Sequence, residues 1–188
     1  MRLALAAIAA AVAAAGSAAQ AAGPTHFPLA AGSAWYLADE QTAAGSTISV
    51  RLGSSGVFLR GFPGAGDLRV RRAGAAVQAW DAGEKRWEPF LRLGAPAGTR
   101  YGVDLSNAPL WRRVTVSVVS REATAEDARG RERRNCVVLR LSLPKGVADA
   151  GLEELVFAPN VGPIRVVDMT IAGTRTRLLD RYIPGATK

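Results

Sequence analysis

The sequence predicts an all-β domain, an antiparallel and strongly curved meander sheet that stays open as a half-barrel or closes towards a barrel. Three observations predict it. Short runs alternate apolar and polar residues, as half-buried strands do. Gly-bearing turns separate those runs. The runs are too many for one flat sheet, which has to curl or split. Helical periodicity is scarce, and helix is expected only in short pieces near Ser106–Trp111 and Ala148–Gly151.

The elements follow in chain order. Candidate strands are Ala34–Asp39, Thr47–Leu52, Gly56–Phe62, Asp67–Arg72, Ala76–Asp81, Trp87–Leu93, Arg113–Glu122, Arg134–Leu143, Leu152–Phe157, Gly162–Ile171 and Thr174–Ile183. Leu68 and Val70 alternate with Arg69 and Arg71. Val114, Val116 and Val118 alternate with Thr115 and Ser117, and Val137, Leu139 and Leu141 with Val138, Arg140 and Ser142. Each pattern turns one face to a core and one to water. Gly53-Ser54-Ser55-Gly56, Ala73-Gly74, Asp81-Ala82-Gly83-Glu84 and Ala172-Gly173 supply the turns, so neighbouring runs pair as hairpins. Ala123–Glu132 is polar and charged and is expected to be a long hairpin tip or loop.

The first residues read as a leader. Arg2 gives a positive start, Leu3–Ala15 is an unbroken apolar run, and Ala19-Gln20-Ala21 is an A-x-A cleavage site. Residues 1–21 are therefore expected to be a signal peptide, and 22–188 a single antiparallel β domain. The run is too short and too Ala-rich for a membrane anchor, and no later segment approaches transmembrane length. No Cys follows the run, which argues against a lipid-anchored protein, and the single Cys136 rules out an intrachain disulfide. Export without disulfides points to a periplasmic or secreted location.

Several segments carry a resemblance. His26-Phe27-Pro28-Leu29-Ala30-Ala31-Gly32-Ser33-Ala34-Trp35-Tyr36 resembles the FPLxxGxxW opening of a family of uncharacterised secreted bacterial β-domain proteins. Phe157-Ala158-Pro159-Asn160-Val161-Gly162-Pro163-Ile164-Arg165 resembles its FAPxVGxxR closing motif. Leu91–Thr99 and Asn135–Arg140 resemble two segments between them. The chain departs from the pattern at Tyr36-Leu37, Asn160 and Pro163. The resemblance implies an exported antiparallel β domain and transfers no catalytic residue. It also implies a distant likeness to the curved sheets of bacterial lipoprotein carriers, which concerns shape alone. The residues have physical roles of their own. Phe27, Leu29, Trp35 and Tyr36 are expected to close one end of the core, and Pro159 and Gly162 to bracket a turn.

Residues for catalysis are sparse. His26 is the only histidine, it stands near the start of the domain, and it is expected to be solvated. It leaves a Ser-His-Asp constellation without a credible base, and there is no G-x-S-x-G elbow. No His/Cys/Asp/Glu cluster suggests a metal. Cys136 opens an apolar strand and reads as a small hydrophobe. Glu153 and Glu154 are strand neighbours that point to opposite faces, so they do not converge as a glycosidase pair; one of them is expected to pair with an Arg. Gly61-Phe62-Pro63-Gly64-Ala65-Gly66 has Pro63 and no following helix, unlike a dinucleotide loop. No cofactor is expected.

Arginine is the unusual signal, in a chain of formal net charge +8. Arg69, Arg71, Arg113, Arg131, Arg133, Arg134, Arg175 and Arg177 stand out as candidate contacts to an anionic surface. The competing reading is that they solubilise outward strand positions and protect sheet edges. Nucleic acid is not an expected partner, because no aromatic-interleaved RNA motif accompanies the charge. The leading expectation is a non-enzymatic exported domain that binds an apolar or amphipathic ligand, such as a lipid, or an envelope partner on a curved sheet. The alternative is a cell-envelope module that contacts anionic surfaces through arginine. A hydrolase ranks last.

Overall fold

A computed structural model describes residues 25–42, 44–143 and 151–186. The expected leader lies outside the described residues, as does the helical piece expected at Ala148–Gly151 apart from Gly151, which opens a strand. Twelve strands follow one another: β1 Ala34–Asp39, β2 Gly45–Gly53, β3 Gly56–Phe62, β4 Gly66–Ala73, β5 Ala76–Asp81, β6 Arg86–Leu91, β7 Arg100–Val103, β8 Val114–Glu126, β9 Glu132–Ser142, β10 Gly151–Ala158, β11 Gly162–Thr170 and β12 Gly173–Ile183. The expected helix near Ser106–Trp111 is a single 3-10 turn, Pro109–Trp111.

All pairings are antiparallel, in the order β6-β5-β4-β3-β2-β1-β12-β11-β10-β9-β8-β7. The first and last strands pair in the middle, and the consecutive strands β6 and β7 are the two edges. The sheet curls until those edges approach, which makes a nearly closed barrel. Side chains bridge the seam. The Tyr101 hydroxyl on β7 donates to the Phe90 carbonyl on β6 at 3.3 Å and accepts the Arg92 amide at 3.0 Å. Asp81 at the end of β5 holds Ser106, just past β7, through its amide (2.8 Å) and hydroxyl.

The alternating pattern fills the interior. Leu37, Ile48, Val50, Leu59, Leu68, Val70, Val116, Leu139, Leu155 and Val166 are all buried. Six aromatic side chains, Phe27, Trp35, Phe62, Phe90, Trp111 and Phe157, are at most 1% exposed and form one linked cluster. The segment before β1 runs over one end of the barrel. Thr25 exchanges hydrogen bonds with Asn160 in the β10–β11 turn, and the Phe27 carbonyl accepts from Arg72 on β4. The opening and closing motifs thus meet: Trp35 Nε1 donates to the Val161 carbonyl at 2.6 Å.

Four expectations are corrected. Tyr36 does not join the core: alternation places it on the face opposite the buried Trp35 and Leu37, with the Arg181 guanidinium 4.2 Å from its ring centroid. His26 is not solvated; it is buried, and its Nε2 lies 3.0 Å from the Asn135 carbonyl, because the segment that carries it packs onto the barrel. Strand β7 was not expected, since four residues with a central glycine give only two apolar positions, Tyr101 and Val103. Ala123–Glu132 is the tip of a hairpin, but half of it is strand: β8 runs to Glu126, β9 starts at Glu132, and 127–131 turns. Its outward polar residues hide an alternation in which Ala125 is buried.

Candidate functional site

The arginines singled out in the sequence do not form one face. Strand positions β4 and β12 lie four places apart in the sheet, and the structure sorts the residues into three groups and a single.

The first group is on the outer wall of β4, β5 and β6. Leu68 and Val70 point inward, so Arg69 and Arg71 point outward. The cross-strand pair Trp80–Trp87 does the same, edge to face with ring centroids 5.5 Å apart. The Arg69 guanidinium carbon lies 5.6 Å and 5.3 Å from these two rings, and that of Arg71 lies 4.4 Å from Trp87. Neither arginine has a carboxylate partner among the described residues; Arg71 Nε donates to Gln78 at 2.7 Å. Stacking on indoles orients both charges and leaves them unneutralised.

The second group stands on the β8–β9 hairpin. Asp127, whose side chain is 0% exposed, is the hub of its turn. It accepts the amides of Arg129 (3.0 Å) and Arg131 (3.2 Å), Arg131 Nε (2.8 Å) and Arg133 Nη2 (3.4 Å). Burial pushes its carboxyl up, but the two amides and the Arg131 guanidinium outweigh it and hold it below the ordinary value. Arg134 pairs with Glu132 at the surface. The turn is pinned to β12, where the Ala128 amide donates to the Leu179 carbonyl at 2.9 Å. That carbonyl lies just past the last β11–β12 pair, Arg165–Leu178, and beside a register shift against β1. Two depressions flank the hairpin. One, of about 550 Å³, includes Glu40, Glu126 and Glu154 with Arg165. The other, of about 360 Å³, is lined by Arg129, Arg131, Arg133 and Arg181.

The third group lies on the inner face at the start of β12. Arg175 pairs with Asp39, and Arg177 with Asp168 and with Ser46 Oγ at 3.2 Å. Direct neighbours across the ladders are Asp39–Arg177 and Asp168–Arg175, so both ion pairs run diagonally, which long side chains reach. Arg175 holds the Asp39 carboxyl well below the usual carboxylate range, against the opposing effect of burial. These two arginines are neutralised in place. Arg113 stands alone before β8, exposed, its amide donating to Asp104 at 3.2 Å.

Three residues that matter here are not evident as a set from the sequence: Asp39, Asp81 and Asp127. Each closes a hairpin turn by accepting amides that follow it. Asp81 accepts those of Gly83 (2.8 Å) and Glu84 (3.1 Å) besides Ser106. Burial pushes the Asp81 carboxyl up, yet Ser106 and the turn amides bring it down to about 2. The signal is Asp at a strand end followed by a turn, as in Asp81-Ala82-Gly83. Elsewhere, Glu154 pairs with Arg165 at 3.1 Å, as expected for one of the two neighbouring glutamates. Cys136 is buried, and burial raises its thiol pKa above the ordinary value, which disfavours the reactive thiolate. Among the described residues, no group of three or more His, Cys, Asp or Glu side chains is placed to hold a metal ion, and no helix is long and apolar enough to cross a membrane.

No family model matches the chain, and no curated protein matches it. The resemblance in the opening and closing motifs therefore stands on those residues alone. A solved structure described as a candidate lipoprotein from Parabacteroides distasonis aligns over 85% of this chain and 99% of its own, with 11% identity and a TM-score of 0.41. A likeness of that size carries no functional argument.

Proposed function

We propose that the protein is an exported, non-catalytic module of the cell envelope that contacts anionic surfaces through the arginine-bearing outer wall of its barrel. One observation carries the reading: Arg69 and Arg71 are stacked on Trp80 and Trp87 with no carboxylate among the described residues to neutralise them. Indole rings with a polar edge suit the boundary between water and lipid, and guanidinium groups suit anionic headgroups. The leader pattern supports export. Co-sedimentation with phosphatidylglycerol/phosphatidylcholine vesicles tests it. Binding is expected to weaken steeply with added salt and to fall about tenfold in Arg69→Gln/Arg71→Gln, the loss of roughly 1.4 kcal/mol. Equal binding to neutral vesicles, or indifference to salt, sinks the reading.

The near-closure of the sheet favours a second reading, an apolar or amphipathic ligand held by the curved wall. A mass excess on the native protein, released on denaturation, distinguishes it from the first.

A further inference from the structure

The depression of about 360 Å³ lies between the β8–β9 turn and the end of β12. Arg129, Arg131, Arg133 and Arg181 line it, with Asp180 among them and Tyr182 beside them. Among the described residues two carboxylates serve these four cations, Asp127 beneath the turn and Asp180 in the wall of the depression, 3.0 Å from Arg129. Among the described residues, two positive charges are therefore unmatched. Arg131 and Arg133 share a single Asp127 oxygen, at 2.8 and 3.4 Å, and Arg133 Nε, buried from solvent, has no hydrogen-bond partner. Arg181 leans on the Tyr36 ring and pairs with no described carboxylate. The scaffold holding them is fixed by the Asp127 clamp and the Ala128–Leu179 bond, so little ordering is left for a ligand to impose.

We propose that this depression binds a dianionic phosphoryl group, presented either by a soluble phosphate monoester or by a phosphorylated lipid headgroup. A phosphate monoester carries close to two negative charges near neutral pH and three acceptor oxygens, which match two unmatched charges and several forked donors. A carboxylate brings one charge and leaves the other unmatched. The volume admits a phosphoryl group with a small substituent. The site uses strands and residues distinct from the Arg69–Trp87 wall, so either reading survives failure of the other.

Isothermal titration of the mature protein with inorganic phosphate, at constant ionic strength made up with chloride, is the first test. Arg129→Gln and Arg181→Gln are each expected to weaken phosphate binding about tenfold, while Arg69→Gln leaves it unchanged. Both substituted residues are exposed, and unchanged thermal midpoints verify folding. The source is read with phosphatidic acid/phosphatidylcholine vesicles in an Arg69→Gln/Arg71→Gln background. Vesicle binding that inorganic phosphate displaces and Arg181→Gln weakens assigns the headgroup; phosphate binding without vesicle binding assigns the soluble monoester. Failure of both probes to bind, or binding indifferent to Arg129→Gln and Arg181→Gln, overturns the proposal.

Discussion

Gly162 is held by its neighbours as much as by its own backbone. Its φ is +105°, a region that side chains disfavour. A Cβ there would lie 2.7 Å from Trp35 Nε1 and 2.9 Å from the ring carbon next to it. The indole has no room to give, because its N–H is spent on the adjacent Val161 carbonyl and its face is stacked on Tyr182. Gly162→Ala is expected to destabilise the fold by about 2 kcal/mol or more, seen as a lower urea midpoint at unchanged slope. A midpoint equal to that of the natural protein would show that the Trp35 contact is relaxed in solution. Arg69 works at the same scale in the opposite sense, since its surroundings orient a charge and restrain little else. Removing it is expected to alter binding far more than folding.

Among the elements, the β6–β7 seam is the one wall without a backbone ladder, and Tyr101 stands in for the missing bonds. Tyr101→Phe keeps the ring and strips the partner from the Arg92 amide. The expected loss is about 1–3 kcal/mol, and hydrogen exchange is expected to quicken first in β6 and β7. Uniformly quicker exchange in all strands would mean the seam has no separate stability. The expected strands largely coincide with those observed, and β1, β3 and β5 match to the residue, because Gly and Asp turns punctuate clear alternation. The seam was not legible: its strand is four residues long, and its bridging bonds come from a tyrosine whose partners depend on curvature. The arginines were legible as charge but not as groups. Whether an arginine faces Trp80, Asp127 or Asp39 depends on which strands meet and on diagonal reach across them, neither of which local sequence encodes.

For the molecule as a whole, the three buried turn aspartates set the response to acid. Each carboxyl is held below its ordinary value, and Asp81 sits at about 2. A depressed carboxyl contributes its stability above the unfolded value near 3.9 and loses it as pH falls through the folded value. Urea stability should therefore be level from about pH 8 to pH 5 and fall steeply below about pH 4, with Asp81 alone accounting for roughly 2 kcal/mol. Asp81→Asn should flatten part of that fall; an unaltered acid limb would assign the sensitivity elsewhere. At the other extreme, burial pushes the Tyr101 hydroxyl up to about 12, although Arg92 opposes it. A raised value contributes stability that is complete below about 10 and disappears as pH climbs through the folded value.

The strand order bears on how the chain reaches this state. Every ladder but one joins strands that are consecutive in sequence, and the exception, β1 with β12, joins the two ends of the domain. Hairpins can form early at small loop-closure entropy, whereas that single ladder has to close a loop of nearly the whole domain. A circular permutant that links the natural ends and opens the chain between β6 and β7 would convert the topology to a run of nearest neighbours, with the seam as its termini. Its average contact would be shorter in sequence, and it should refold faster than the natural chain while keeping the same wall.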